Sequence, residues 1–185
     1  MLVSCRQTNQ EFTLQNSSLV DLKVPICISK QNCFGFSGDS TLSYLKLYLT
    51  NTTGEIIMLL DSVEFSPYKS TLHSFKSQKS NSWVILWETE YEYIPVIKAY
   101  YFAAEKLAKI GELEIALPCD SCESLDYPIN DIVIFKKDKE IEISFRSDVN
   151  YKANGSNNWT SFKTGTFKYL FNTETNELIH IILPK

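Results

Sequence analysis

The sequence predicts a mainly β fold, a single-domain antiparallel β-sandwich or open barrel of about seven to nine strands. Residues 83–93 alternate in polarity with a period of two, which is the period of a β-strand. Short apolar runs come in pairs separated by polar turn segments, as in β-hairpins. The chain contains 10 Tyr and 11 Phe, and aromatic side chains suit pleated, half-buried surfaces.

The predicted strands follow one another without an internal repeat. Residues 18–29 form a first strand whose apolar side chains alternate with polar ones. Three β-hairpins come from residues 44–60, 132–145 and 166–183, each with a polar turn near its middle. Residues 66–82 are polar and serine-rich, so a surface loop is expected there.

Residues 95–110 allow two interpretations. Their apolar side chains keep the spacing of one helical face, with Pro95 near the start and Gly111 just past the end. The segment 96–102 is also good strand material, and residues 105–109 would then form its turn. The sequence favours a short helix here and leaves a hairpin as the alternative.

The domain organisation expected from the sequence is simple. A chain of 185 residues is long enough to bury one hydrophobic core. Residues 1–17 are mostly polar and are predicted to form an N-terminal tether, and residues 18–185 form a single β-rich domain.

Four of the five cysteines fall in two close pairs, Cys27 with Cys33 and Cys119 with Cys122. Two local disulfides are expected, each stabilising the fold by roughly 2 kcal/mol. A four-cysteine zinc site is an alternative, although the first spacing is wide for such a site. A redox-active pair is another, but acidic residues beside the second pair disfavour a reactive thiolate. The sequence therefore predicts disulfides and no metal or cofactor.

The fifth cysteine, Cys5, follows Leu2, Val3 and Ser4, and these four residues resemble a bacterial lipobox. The resemblance implies that Cys5 carries a lipid anchor, and Arg6 after it favours the outer membrane. Disulfides persist in oxidising compartments, so a periplasmic or outer-membrane location is expected rather than the cytoplasm. The alternative for Cys5 is an ordinary exposed thiol near a frayed terminus.

Several function classes are not expected from this sequence. The net charge is −4 and no stripe of Lys and Arg occurs, which argues against binding to nucleic acid. No apolar run reaches the roughly 18–20 residues of a membrane-spanning helix, so any membrane contact is expected through the lipid alone. No phosphate loop, dinucleotide fingerprint or nucleophile elbow is present, and an enzyme is not expected.

The most distinctive surface candidate is a row of acidic residues on one face of a predicted strand. Neighbouring side chains on that face lie about 7 Å apart. The row is either a solvated or edge face kept from aggregating by its charge, or a recognition surface for a basic protein partner. The candidate contact residues are Glu88, Glu90 and Glu92, with Tyr91 and Tyr93 on the opposite face as aromatic anchors.

These observations lead to a predicted function by binding. We expect a non-enzymatic extracytoplasmic protein, similar in general character to immunity proteins that neutralise a secreted toxin in the periplasm. The alternative is a small-ligand or lipid-binding lipoprotein with an apolar pocket inside its barrel or sandwich. An enzyme would instead bring His73 or His180 beside a cysteine or carboxylate in a cleft.

Overall fold

A computed structural model describes residues 9–20, 25–28, 30, 32–39, 44–64, 70–91, 94–104, 106–118, 127–152 and 158–184. Within these residues the secondary structure is strands and one short 3₁₀ turn, without an α-helix. The mainly β class predicted from the sequence is therefore confirmed. The strands are β1 (Gln10–Leu19), β2 (Ile26–Cys27), β3 (Cys33–Asp39), β4 (Tyr44–Thr50), β5 (Ile56–Glu64), β6 (Ser70–Ser77), β7 (Ser82–Tyr91), β8 (Ile94–Ala103), β9 (Lys106–Leu113), β10 (Ile115–Ala116), β11 (Ile132–Lys137), β12 (Glu140–Phe145), β13 (Val149–Lys152), β14 (Trp159–Phe162), β15 (Phe167–Asn172) and β16 (Glu177–Ile182).

The largest unit is an antiparallel sheet of nine strands in the order β16-β15-β12-β11-β1-β6-β7-β8-β9. The sheet curls until its two edge strands, β9 and β16, touch where Gly111 meets Leu178. Such curling follows from the twist of long sheets. The result is a nearly closed, barrel-like sheet, in agreement with the predicted open barrel.

Two smaller sheets complete the described fold. Strands β2, β3, β4 and β5 form a four-stranded antiparallel sheet with β5 at one edge. Strands β10, β13 and β14 form a three-stranded sheet. The predicted hairpins from residues 44–60, 132–145 and 166–183 correspond to β4–β5, β11–β12 and β15–β16.

Two hydrophobic cores lie on opposite faces of the nine-stranded sheet. The first fills the concave interior and takes side chains from β1, β6–β13 and β15. The second lies between the outer face of β6–β8 and the four-stranded sheet. In β7, Val84 and Leu86 enter the first core while Ile85 and Trp87 enter the second. The period-two pattern of this strand is therefore correct, but both of its faces are covered.

Three predictions about individual segments were wrong. The described residues of 95–110 form the hairpin that was the alternative and not the favoured helix: β8 and β9 are paired strands, and Ala104 after β8 has a positive φ of 49°. Residues 66–82 are not simply a surface loop, because β6 runs between β1 and β7. Residues 10–17, assigned to the tether, belong to β1 in the middle of the nine-stranded sheet. Residues 1–8 lie outside the described part.

The predicted pair of Cys27 and Cys33 forms a disulfide with an S–S distance of 2.08 Å. The two cysteines are cross-strand partners in β2 and β3. This bond leaves neither sulfur available to a four-cysteine zinc site. Cys5, Cys119 and Cys122 lie outside the described residues, so the lipid anchor and the second disulfide remain predictions.

Candidate functional site

The acidic row predicted on β7 is described at one of its positions. Glu88 is only 9 % exposed and shares the interior face of β7 with Val84 and Leu86, so it is not the solvated side chain that the alternation predicted. The side chains of Glu90 and Tyr91, and the residues Glu92 and Tyr93, lie outside the described part. Their role in partner binding stays a prediction.

Glu88 is instead part of a three-residue network across β1, β6 and β7. Its Oε2 lies 2.8 Å from Nε2 of His73, and Nδ1 of His73 lies 2.8 Å from Oγ of Ser17. Ser17 and His73 are direct cross-strand partners. In the tautomer with its proton on Nε2, His73 donates a hydrogen bond to the Glu88 carboxylate, and its Nδ1 accepts one from the Ser17 hydroxyl. This order of hydroxyl, imidazole and carboxylate is also that of a hydrolytic triad.

The setting of this network favours a structural role. His73 is only 5 % exposed, and β1 is the middle strand of the nine-stranded sheet. A catalytic serine also needs hydrogen-bond donors placed to stabilise the oxyanion that forms when the serine attacks a substrate. A buried carboxylate, however, needs a hydrogen-bonded partner whether or not chemistry follows. The network therefore satisfies Glu88 and His73 inside the sheet and ties three strands together.

An enzyme is not expected from the sequence, but the histidine and carboxylate arrangement that one would need can be checked at His73 and at His180, which shares a cleft with Glu112 and Glu114. His73 lies beside the carboxylate of Glu88, as described. His180 lies on the edge strand β16, in a cleft. In the order of the sheet, four strands separate β16 from the strand of His73, β6. The polar-loop position expected for His73 was wrong, since it lies within β6.

The largest unexplained surface feature is on β5. The side chains of Ile56, Ile57, Met58 and Leu59 are consecutive and between 45 and 58 % exposed. Leu59 is the cross-strand partner of Tyr48 and Met58 is that of Leu49, so the exposed side chains lie on both faces of the sheet. We call residues 56–59 the β5 apolar edge. Contiguous apolar surface of this kind usually marks an interaction site.

The second half of β5 is fixed to the nine-stranded sheet by a cluster of charges around Asp61. Its Oδ2 accepts hydrogen bonds from Tyr100 Oη and Lys109 Nζ, each at 2.8 Å. Its Oδ1 lies 3.2 Å from Lys98 Nζ, and the Ser62 carbonyl accepts from the same ammonium at 3.4 Å. Buried charges persist when they are paired in this way.

The pKa of Asp61 reflects both burial and these partners. Burial by itself raises the pKa, but hydrogen bonds from Lys109 and Tyr100, the charge on Lys98 and the Ser62 backbone N–H lower it below its ordinary value. Burial and the Asp61 charge raise the pKa of the Tyr100 phenol, which therefore remains a hydrogen-bond donor. Asp61 is therefore ionised at neutral pH, and its hydrogen bonds and ion pair hold β5 against β8 and β9.

The sequence contains a signal for the β5 apolar edge, but on its own it predicts only a strand of the 44–60 hairpin. Residues 56–60 are a continuous apolar run, which usually predicts a strand buried on both faces. Here the strand lies at a sheet edge and the run is exposed. Burial of a strand depends on which elements cover it, and that is not visible in the strand's own residues.

No known protein family, no curated protein and no solved structure matches this chain. The described part of the chain has no helix with the length and apolar character that crossing a membrane requires. Among the described residues, no three His, Cys, Asp or Glu side chains are grouped as metal ligands.

Proposed function

We propose that this chain is a non-catalytic binding protein that docks an extended segment of another protein along the β5 apolar edge. The observation that carries the proposal is the run of four consecutive exposed apolar side chains on an edge strand, residues 56–59. Soluble proteins usually protect edge strands with charge, proline or a covering element. None of residues 56–59 is charged or proline.

The mode of binding follows from the strand geometry. Among the described strands, β5 pairs only with β4, so its other edge presents backbone N–H and C=O groups to a partner. An added strand would use these groups for hydrogen bonds. Its alternate side chains would contact exposed residues on the two faces of β5. Affinity then comes from the backbone and from apolar burial, and specificity comes from the side chains.

The β5 apolar edge is also held in place before a partner binds. The Asp61 cluster fixes the strand just after residue 59. At the other end, the carboxamide oxygen of Asn51 accepts hydrogen bonds from the backbone N–H groups of Thr53 and Glu55. A strand ordered at both ends loses little conformational entropy on binding.

Charge indicates what kind of partner fits. The chain carries 22 acidic and 18 basic residues, so two copies would repel each other at low salt. A partner with basic residues near an apolar extended segment would be attracted and would associate faster. We therefore choose a different, basic protein over a second copy of this chain.

The narrower proposal is that the partner is a toxin delivered to the periplasm and that this chain is its immunity protein. The disulfide between Cys27 and Cys33 supports an oxidising compartment. The lipobox-like residues before Cys5 support a membrane-anchored location. A cell that lacks this chain should then be killed by contact with otherwise identical neighbours that carry it. Survival of such cells would reject immunity but not protein binding.

Photo-crosslinking tests the docking surface directly. Ile57 is replaced by p-benzoylphenylalanine in the full chain expressed in its host, and Ile182 on β16 is replaced in the same way as a matched control. Both positions are exposed apolar residues on edge strands. We expect one heterologous protein to be crosslinked from residue 57 and not from residue 182. Crosslinking to a second copy of the chain, or none from residue 57, would contradict the proposal.

A further inference from the structure

The seam where the nine-stranded sheet nearly closes contains a cleft of about 240 Å³. Gly111 of β9 and Leu178 of β16 meet just beside it: a Cβ added at Gly111 would lie 2.8 Å from Leu178 Cδ2. The cleft lies at the edge strands β16 and β9, which are the strands farthest from β1 in the order of the nine-stranded sheet. Its walls include Glu112, Glu114, Tyr151, Tyr169, Leu178 and His180.

One wall of the cleft is aromatic. The rings of Tyr151 and His180 lie 4.9 Å apart between centroids, and Tyr169 packs edge-on against Tyr151 at 6.5 Å. The Tyr151 hydroxyl and His180 Nδ1 are 3.4 Å apart. Aromatic faces attract cations through the ring quadrupole, most strongly where water is excluded.

The cleft also contains a buried hydroxyl without a partner. Tyr169 is only 4 % exposed, and no described group forms a hydrogen bond of good geometry with its hydroxyl. Burial raises the pKa of the Tyr169 phenol, and the nearby Glu114 backbone N–H offsets part of that rise. Buried polar groups in native proteins are almost always satisfied, so the Tyr169 hydroxyl is an acceptor that a donor group in the cleft would satisfy.

An acidic group completes the arrangement. Glu114 lines the cleft together with Tyr151 and Tyr169. Burial raises the pKa of both phenols, and the charge of Glu114 raises both further. Burial raises the pKa of Glu114, the charge of Glu112 raises it further, and Lys152 lowers it. A second positive charge beside Glu114 would favour its ionised form.

We propose that this cleft binds a small primary alkylammonium ion. The ammonium group would donate hydrogen bonds to the Glu114 carboxylate and the Tyr169 hydroxyl oxygen while lying against the Tyr151 ring. The alkyl chain would lie along Leu178. This inference does not depend on the β5 apolar edge, which is on a different sheet.

The chemistry of the cleft selects this class over its neighbours. A quaternary ammonium ion has no N–H and would leave the Tyr169 hydroxyl unsatisfied. An anion would be repelled by Glu112 and Glu114. The volume is below the roughly 300–1,000 Å³ of pockets for drug-sized ligands, so the ligand is a small metabolite-sized amine.

The test uses three probes that share a butyl chain, on the purified full chain: n-butylammonium, butyltrimethylammonium and 1-butanol. Calorimetric titration should show saturable 1:1 binding of n-butylammonium, with the other two probes at least about tenfold weaker. That ratio corresponds to the loss of one hydrogen bond or charge contact. In NMR spectra, n-butylammonium should shift ring signals of Tyr151 and His180. Binding of 1-butanol as tight as that of n-butylammonium, or no saturable binding, would overturn the proposal.

Two variants assign the contacts, and one serves as a control. Tyr169→Phe removes an unpartnered hydroxyl, so it should fold normally while its affinity for n-butylammonium falls at least about tenfold. Glu114→Gln should weaken binding by a similar factor. Glu177→Gln removes a charge from an exposed residue elsewhere on β16 and should leave affinity unchanged. Equal affinity in Tyr169→Phe and the wild type would remove the basis of the site.

Discussion

Asp61 is the residue that decides how firmly β5 is attached to the rest of the molecule. Its carboxylate gathers Tyr100, Lys98 and Lys109 from β8 and β9. The side chains of Asp61 and Lys98 are about nine-tenths buried. Removing one partner from such a cluster leaves charges buried without compensation, and this is more costly than never having built the pair.

Asp61→Asn should therefore destabilise the protein by about 3 kcal/mol near neutral pH. The folded-state pKa of Asp61 is lowered, so its contribution is present above the unfolded-state pKa and is lost as the pH falls through the lower, folded-state value. Urea unfolding of the wild type and the variant should show a difference that shrinks below about pH 4.

Glu174→Gln provides the control for this measurement, because Glu174 forms an exposed ion pair with Lys139. Exposed pairs contribute about 0–1 kcal/mol, so this variant should unfold almost like the wild type. If Asp61→Asn were as small in effect as Glu174→Gln at neutral pH, the Asp61 cluster would not anchor β5.

The Ser17, His73 and Glu88 network can also be tested at the residue scale, because a structural and a catalytic role predict different reactivity of Ser17. In the structural role, Ser17 is only a hydrogen-bond donor to a buried imidazole. Incubation with a fluorophosphonate should then leave the mass of the intact protein unchanged, because Ser17 is not an activated nucleophile. A covalent adduct mapped to Ser17, and lost in His73→Ala, would show that the chain is a hydrolase and not a binding protein.

At the scale of elements, the edge strands of the sheets, and not the central strands, provide the surfaces for further contacts. Central strands such as β7 are covered on both faces, whereas β5, β9 and β16 each have an edge with fewer constraints. Strands β9 and β16 use theirs to approach each other at the seam. The second edge of β5 meets no described strand, and this strand carries four consecutive exposed apolar side chains.

The close approach at the seam depends on glycine at position 111. Its φ of 144° is rare for residues with a side chain, and a Cβ there would meet Leu178. Gly111→Ala should cost about 2–3 kcal/mol of stability from backbone strain and displacement of Leu178. Gly54 has a φ of 83° and nothing within 4 Å of its added Cβ, so Gly54→Ala should cost only about 1 kcal/mol.

Urea unfolding of both glycine variants checks this difference. Adding Leu178→Ala to Gly111→Ala opens space for the new methyl group, so the two substitutions should be less than additive. Equal destabilisation by Gly111→Ala and Gly54→Ala would mean that β9 and β16 are not in contact at the seam.

At the scale of the whole molecule, the packing of the sheets on one another decides which features of the fold the sequence can predict. Period-two patterns predicted β4, β7 and β12, because alternation is a local property of a strand. Apolar runs paired around polar turns predicted β11, β15 and β16. The period-two pattern did not show that Glu88 is buried, since alternation distinguishes the two faces of a strand without identifying which face is exposed to solvent. In β7 the four-stranded sheet covers one face and the closed interior takes the other.

The same limit explains the other errors. Strand β8 is buried on both faces at Ile97, Lys98, Ala99 and Tyr100, and a run with two covered faces has no clean period of two. Its apolar spacing therefore resembles that of a helix. Strand β1 is rich in polar residues, but it is held by backbone pairing with β6 and β11. Pairing of this kind depends on residues distant in sequence and leaves no mark on the strand itself.

The central claim is that another protein binds along the β5 apolar edge. The most direct test is the affinity of the crosslinked partner, once purified, for three forms of the chain: wild type, Ile57→Lys with Leu59→Lys, and Ile179→Lys with Ile182→Lys. All four substituted residues are exposed, so both variants should keep the wild-type stability. We expect the β5 variant to bind at least about 100-fold more weakly and the β16 variant to bind like the wild type. Unchanged affinity of the β5 variant would contradict the account.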